Sequence, residues 1–236
     1  MTQYGKLYLI PSPLGDGAPS DVLPAGLLSF LPSLKNFVVE ETRTARRFLS
    51  AAGLKGSIQE LNFRELNEHT SPSEVESLLE LFEGGTDVGL ISAACLPAVA
   101  DPGARLVALC HRKGIEVVPF AGPSSLMMAL MCSGLDGQHF AFAGYIPAKT
   151  DGRREALRAL EKKSARETQI MIETPYRNDA LFADMMQVLN PSTLLCIAAN
   201  ITCPDQFIRT MSVAQWRREK DFTIGKRPCV FIIQAV

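Results

Sequence analysis

Lys6-Leu-Tyr-Leu-Ile-Pro-Ser-Pro-Leu-Gly15 is a short apolar run that breaks into a loop of proline, serine and glycine. A buried strand leaving a sheet edge reads this way. The pattern recurs. Asn36-Phe-Val-Val-Glu40 runs into Glu40-Glu-Thr-Arg43, and Asp87 to Ser92 runs into Ser92-Ala-Ala-Cys-Leu-Pro-Ala-Val-Ala-Asp-Pro-Gly103. Glu116 to Phe120 runs into Ala121-Gly-Pro-Ser-Ser125. Helical patterns separate these runs: Leu23 to Leu34, with Pro32 ending or kinking it, Thr42 to Ala52 stopped by Gly53, Ser71 to Gly84-Gly85, and Pro102 to Lys113. Ser71 can cap its helix, Pro72 suits the first turn, and Glu74 completes a capping box. Strand and helix alternate at short spacing, which predicts an α/β fold with a parallel sheet covered on both faces. Ligands bind such sheets beyond the carboxyl ends of the strands. The loops after these four strands are therefore expected on one edge. Their small residues let a ligand approach the backbone. Ser124 can cap the next helix, whose N-terminus offers N–H groups to an anion.

The second half resumes with a helix at Ser124 to Cys132 and a strand at Phe140 to Tyr145. A charged helix, Arg153 to Lys163, precedes a strand at Thr168 to Glu173 and a helix at Tyr176 to Leu189. Strands at Leu194 to Ala199, Phe207 to Met211 and Cys229 to Gln234 crowd the end, which predicts a mixed sheet. A domain boundary is expected near Phe120, separating residues 1–120 from 121–236.

Composition narrows the function. With 47% apolar and 21% charged residues over 236 positions, the chain is globular in type and not disordered. No run reaches the ~18 apolar residues of a membrane span. Met1 to Tyr8 shows no basic segment feeding an apolar core, so no signal peptide and a cytoplasmic location are expected. A net charge of −1 exerts no global pull on nucleic acid, which leaves only local basic patches. The cysteines at 95, 110, 132, 196, 203 and 229 form no C-x-x-C pair and read as reduced core thiols. His69, His111 and His139 are far apart, so no metal is expected. There is no G-x-G-x-x-G, no P-loop and no G-x-S-x-G elbow.

The order and wording of these segments resemble the tetrapyrrole methylase superfamily of S-adenosylmethionine (SAM) dependent methyltransferases. Within it they are most similar to the branch that methylates a cytidine ribose 2′-hydroxyl in small-subunit rRNA. Leu7 to Gly15 resembles that branch's LYxVxTPIGN, and Glu40 to Leu49 its EDTRxTxxLL. Asn67-Glu-His-Thr70 stands where it has HEHN. Asp101-Pro-Gly-Ala-Arg-Leu-Val107, Pro119 to Ser125, Phe142 to Lys149 and Glu173-Thr-Pro-Tyr-Arg177 resemble four further motifs of that branch, in order.

The resemblance implies two α/β domains, SAM in the cleft between them, and a homodimer. It implies SAM contacts at Pro13, Leu14 and Gly15, and at Ala93, Ala94, Cys95, Leu96, Pro97 and Ala98. Ser124 and Ser125 would hold the methionine end, and Glu173, Thr174, Ala198, Ala199, Asn200, Pro228 and Cys229 would complete the set. Two departures stand out in the ligand loops. The family's SDAGTP is Ser92-Ala-Ala-Cys-Leu-Pro97 here, so Ala93 replaces an aspartate, and Asp16 replaces an asparagine. The branch also generally carries an extension beyond the last strand, where this sequence ends at Val236; an RNA substrate gripped by that extension would then differ.

Transfer to a ribose hydroxyl calls for a general base within reach. Glu41 and Glu173 end strands on the expected ligand face and are the candidates, with His69 behind them. The competing reading pairs these carboxylates with Arg43 or Arg177. Arg43, Arg46 and Arg47 share one helical face, and Arg153 and Arg154 open a second basic stretch; with Arg177 they are candidate phosphate contacts. The competing reading is a solvated face interspersed with Glu155 and Glu161. The expected function is methyl transfer from SAM to rRNA in the small ribosomal subunit. Alternatives are methylation of a small molecule such as a tetrapyrrole, or a degenerate SAM-binding or scaffold dimer.

Overall fold

The structure is a computed structural model that describes residues 3–92 and 95–236. The chain divides into two compact units, Met1–Ser124 and Ser125–Val236.

In the first unit, β1 (Leu7–Ile10), α1 (Pro19–Val22), α2 (Ala25–Phe30), β2 (Asn36–Val39) and α3 (Thr42–Leu49) are followed by β3 (Asn62–Glu65) and α4 (Pro72–Ser77). β4 (Val88–Ile91), α5 (Ala104–Lys113) and β5 (Val117–Pro119) complete it. The sheet runs in the order β3-β2-β4-β1-β5 and every pairing in it is parallel. All four residues of β4 are buried, as expected of a strand covered on both faces. Gly89 shows how tightly: a Cβ there would sit 2.6 Å from the Ile10 side chain and 2.9 Å from Phe37. Two apolar clusters flank the sheet. One joins Leu7, Val38 and Leu90 to α4 and α5, and the other joins Ile10, Phe37 and Ile91 to α2 and α3.

Local signals explain the helix ends. Ser71 Oγ accepts from the Glu74 N–H at 3.3 Å, and the Glu74 carboxylate accepts from the Ser71 N–H at 2.7 Å, closing the capping box. Gly114, at φ 69°, ends α5 in the left-handed conformation that glycine adopts without strain. Three expectations change. The helix expected at Leu23 to Leu34 starts only at Ala25, because the residue before a proline is pushed to extended backbone and Leu23 adopts it at φ −104°, ψ 142°; it tightens to a 3₁₀ turn at Leu31–Ser33, around Pro32. The helix begun at Pro72 tightens to a 3₁₀ turn at Leu78–Phe82, where Leu78 and Leu81, three apart, both face the core. β3 has no counterpart in the sequence reading. Its Asn-Phe-Arg-Glu is an exposed edge strand anchored by Phe63, which stacks 5.8 Å from Phe37.

In the second unit, α6 (Ser125–Ser133), β6 (Phe140–Tyr145), α7 (Thr150–Ser164), β7 (Thr168–Ile172) and α8 (Asn178–Val188) precede β8 (Leu194–Ala199). β9 (Phe207–Ser212), α9 (Val213–Trp216) and β10 (Cys229–Gln234) follow. The sheet order is β6-β7-β10-β8-β9, with only β6 and β7 paired in parallel, so the sheet is mixed as expected. One face packs on α7, α8 and α9 around Trp216, whose indole N–H donates to the Leu195 carbonyl at 2.9 Å.

α7 and α8 are joined by charge. The Arg153 guanidinium is 2.6 Å from Asp184 and also donates to the Ala148 carbonyl, while Arg154 reaches the other Asp184 oxygen at 2.7 Å. Burial pushes the Asp184 carboxyl up, but the Arg154 and Arg153 guanidiniums outweigh it and hold it below its ordinary value. Stability from this site is therefore present above the unfolded carboxyl value of about 3.9 and fades as pH falls through the folded one. Asp184→Asn strands a buried cation. It is expected to cost about 3 kcal/mol in denaturant melts at pH 7 and to remove much of the unit's acid sensitivity. An unchanged midpoint would show the network to be inert.

Candidate functional site

Parallel pairing sends the C-terminal ends of β1 to β5 to one edge of the first unit. Pro13, Leu14 and Gly15, Glu41, His69, residues 95–98 and Ser124 all lie on the loops leaving that edge. The β1 and β4 loops are tied together: the Ser12 N–H donates to the Cys95 carbonyl at 2.9 Å, and the Ser12 hydroxyl donates to the Ser92 carbonyl at 3.4 Å. The β5 loop closes in as well. A Cβ on Gly122 would lie 2.2 Å from Pro11 Cβ, so only glycine permits the approach.

The loop after β4 is strained. Cys95, Ala98 and Ala100 have φ values of 61°, 67° and 54°, a region costly for residues with a Cβ. Asp101 holds it in place. Its Oδ1 accepts from the Ala98 N–H at 3.1 Å and the Gly103 N–H at 2.7 Å. Asp101 carries no assigned role in the sequence reading, although Asp-Pro-Gly is the signal for such a side-chain-to-backbone turn. Ala93 and Ala94 lie outside the described residues.

Beside this edge, Pro13, Leu14, Gly15, Asp16, Thr44, Arg47 and Phe48 line a hollow of about 250 Å³. Arg47 and Thr44 also border a second groove of about 320 Å³ with Glu41 and Arg43. Glu65 fixes α3 here by accepting from the Thr42 N–H and hydroxyl at 3.0 and 2.8 Å. Those bonds hold its carboxyl below the usual range. Glu41 is exposed and accepts from the Thr44 hydroxyl, not from Arg43. Arg46 turns away from Arg43 and Arg47 and lies over the Phe63 ring at 5.3 Å. His69 is exposed beside Glu68.

The second unit has its own edge. β7 and β8 both run antiparallel to β10, so the ends of β6, β7 and β8 emerge together with the start of β10. This gathers Glu173, Thr174, Ala198, Ala199, Asn200, Pro228 and Cys229. The Asn200 N–H donates to the Pro228 carbonyl at 2.9 Å, and strain recurs, with Asn200 at φ 47° and Thr202 at φ 71°. Glu173 is buried. Its Oε1 accepts from Arg177 Nε at 2.9 Å and Nη2 at 2.6 Å, and from the Thr174 N–H at 2.7 Å. Its Oε2 is buried with no hydrogen-bond partner among the described residues. The Arg177 pairing therefore exists, but it occupies one carboxylate oxygen only.

Other sequence candidates serve the fold. Arg153 is buried and committed to Asp184, and Arg154 shares that carboxylate while also reaching Gln187. Cys110, Cys196 and Cys229 are buried, and burial pushes the Cys110 thiol up to about 11. Cys132 is exposed, and Cys95 and Cys203 are half-buried, so only three of the six are core thiols. No metal-binding group of His, Cys, Asp and Glu occurs among the described residues. None of their helices is long and apolar enough to cross a membrane.

The fold, two α/β units of five strands each, is one shared with solved methyltransferases. The methyltransferase CobJ matches the whole chain and 95% of its own length with a TM-score of 0.63 at 15% identity. A uroporphyrin-III C-methyl transferase from Thermus thermophilus, solved in complex with S-adenyl homocysteine, matches 98% of this chain and 97% of its own at a TM-score of 0.55 and 17% identity. The chain belongs to the tetrapyrrole (corrin/porphyrin) methylase family, whose model matches residues 21–216, and it is thereby a member of a family of SAM-dependent methyltransferases. Among curated relatives, ribosomal RNA small subunit methyltransferase I of Escherichia coli O157:H7 is 32% identical over 84% of this chain. The proteins of that name from Vibrio cholerae serotype O1 and Neisseria meningitidis serogroup B are 31% and 34% identical over 91% and 84% of it. The chain spans 66%, 72% and 64% of their respective lengths.

Asp101→Ala removes the acceptor for two loop amides. Amide exchange at Ala98 and Gly103 is expected to accelerate about tenfold or more, with exchange in β4 unchanged. Equal exchange in both proteins would show that the loop is held by other means.

Proposed function

We propose that this protein transfers a methyl group from SAM to a ribose 2′-hydroxyl of a cytidine in small-subunit rRNA. The observation that carries the proposal is the 31–34% identity to rRNA small subunit methyltransferases over 84–91% of the chain. The residues present suit SAM. Pro13, Leu14, Gly15, Leu96, Pro97 and Ala98 at the first unit's edge, and Ala198 and Ala199 at the second's, are small or apolar, so a ligand at either edge meets mainly backbone N–H and C=O groups. Those groups match the mixed donors and acceptors of an adenosine and an amino-acid end. Ser124, Ser125, Thr174, Asn200, Pro228 and Cys229 belong to the same proposed set.

When bound, SAM supplies a methyl group already activated by the adjacent sulfonium. The chain's part is to hold the acceptor hydroxyl in line and to relieve it of its proton. Glu173 is the base we assign. Arg177 and Thr174 fix one oxygen, and Oε2 has no donor among the described residues. Glu41 is exposed and bound to Thr44, which makes it the weaker candidate. Arg43 and Arg47, bordering the groove, are the proposed phosphate contacts.

The test is transfer of labelled methyl from SAM to small subunits lacking the modification. A ribose 2′-O-methyl is located by the resistance of its phosphodiester to alkaline cleavage. No transfer to subunits by SAM-competent protein would overturn the proposal. Glu173→Gln is expected to lower kcat about 100-fold or more. Arg43→Ala with Arg47→Ala is expected to weaken subunit binding and to flatten its salt dependence by about two in log–log slope. An unchanged slope would remove these arginines from the RNA contact.

A further inference from the structure

Two of the second unit's most exposed aromatic rings stand where β6 and β7 end. Tyr145 closes β6 and pairs in register with Ile172, the last residue of β7. Tyr176 follows four residues later, in the 3₁₀ turn Pro175–Arg177. Tyr176 is 73% exposed and Tyr145 57%, although a ring of this size is usually covered. The pair does not stand alone. The Arg177 guanidinium lies 5.6 Å from the Tyr176 ring centroid and forks onto Glu173 Oε1. Ring, guanidinium and carboxylate thus form one connected assembly, and its last member holds the buried oxygen that nothing described satisfies.

We infer that Tyr176, with Tyr145 at the end of the neighbouring strand, is the platform on which an unstacked RNA base rests while its ribose is presented to Glu173. This deepens the rRNA reading above and rests on it. The chemistry favours a nucleobase over an apolar partner. A ring already backed by a guanidinium presents a flat π face with a cation at its side, which suits a base with its phosphate. A single nucleotide taken out of a fold is recognised by stacking on such rings. Arg177, with 28% of its side chain exposed, supplies that cation while holding the carboxylate. Tyr176 contacts the base and not the reacting atoms, so its loss falls on binding and not on chemistry.

The experiment measures methyl transfer to unmodified small subunits by Tyr176→Ala, Tyr145→Ala, the double variant and Tyr176→Phe, with SAM affinity and sedimentation recorded for each. Both side chains are exposed, so folding is expected to survive. The expected result for Tyr176→Ala is a rise of about 5- to 150-fold in the KM for subunits, the range of one lost base stack. kcat should stay within about threefold, because only substrate binding is lost. SAM affinity should be unchanged, and Tyr176→Phe, which keeps the π face, should behave like the wild type. An unchanged KM in the double variant overturns the inference and leaves the rRNA reading standing. So does a shift in sedimentation that accounts for the loss, since the rings would then join protein copies. Wild-type protein that binds SAM but transfers nothing to RNA overturns the rRNA reading and the platform with it.

Discussion

β1 is hydrogen-bonded on both sides, to β4 and to β5, and both partners run parallel to it. Parallel strands cannot be joined by a tight turn, so each return crosses the sheet through a helix. Every strand of the first unit therefore releases its chain at the same edge. The β1 and β4 loops emerge side by side and are stitched by the Ser12 amide and the Cys95 carbonyl. Gly122 brings the β5 loop against Pro11 at a distance that no other residue allows. The site's architecture follows from strand direction, and side chains refine it.

The second unit reaches a similar result by mixed pairing. β10 runs against both β7 and β8, so their ends meet at its start. In both units non-glycine residues with positive φ gather at these edges, among the described residues three after β4 and two after β8. Strained backbone persists only where its surroundings hold it, as Asp101 holds the first loop and the Asn200–Pro228 bond holds the second. The family match spans most of both units, and the likeness to tetrapyrrole methylases extends over the whole chain. The fold is thus shared with enzymes of small macrocycles, while the sequence is closer to enzymes of ribosomal RNA. Such a division is common, since function resides in the site carried by a fold.

Much of this was legible in the residues. The apolar runs at Leu7, Asn36 and Val88 read as buried strands because burial on both faces removes the polar alternation. The Ser71 box was legible because its chemistry is entirely local. β3 was not, since an exposed edge strand carries polar residues and one inward phenylalanine. The roles of the arginines were not legible either. Arg43, Arg46 and Arg47 share a helical face in sequence, yet Phe63, distant along the chain, draws Arg46 aside. Arg153 reads as a surface cation until Asp184, thirty-one residues on, buries it. Pairings of that separation leave no local pattern.

The chain's one tryptophan lies in the second unit, 1% exposed, with Phe182, Phe207 and Phe222 around it and its N–H held by Leu195. The indole emission of this protein accordingly comes from one half of the molecule alone. It follows the packing of α8, α9 and the mixed sheet and is blind to the parallel sheet. Far-ultraviolet circular dichroism sees both. Recorded together along a denaturant gradient, the two optical signals separate the melting of one unit from that of the other without labels. Where they coincide, the halves stand or fall as one cooperative body.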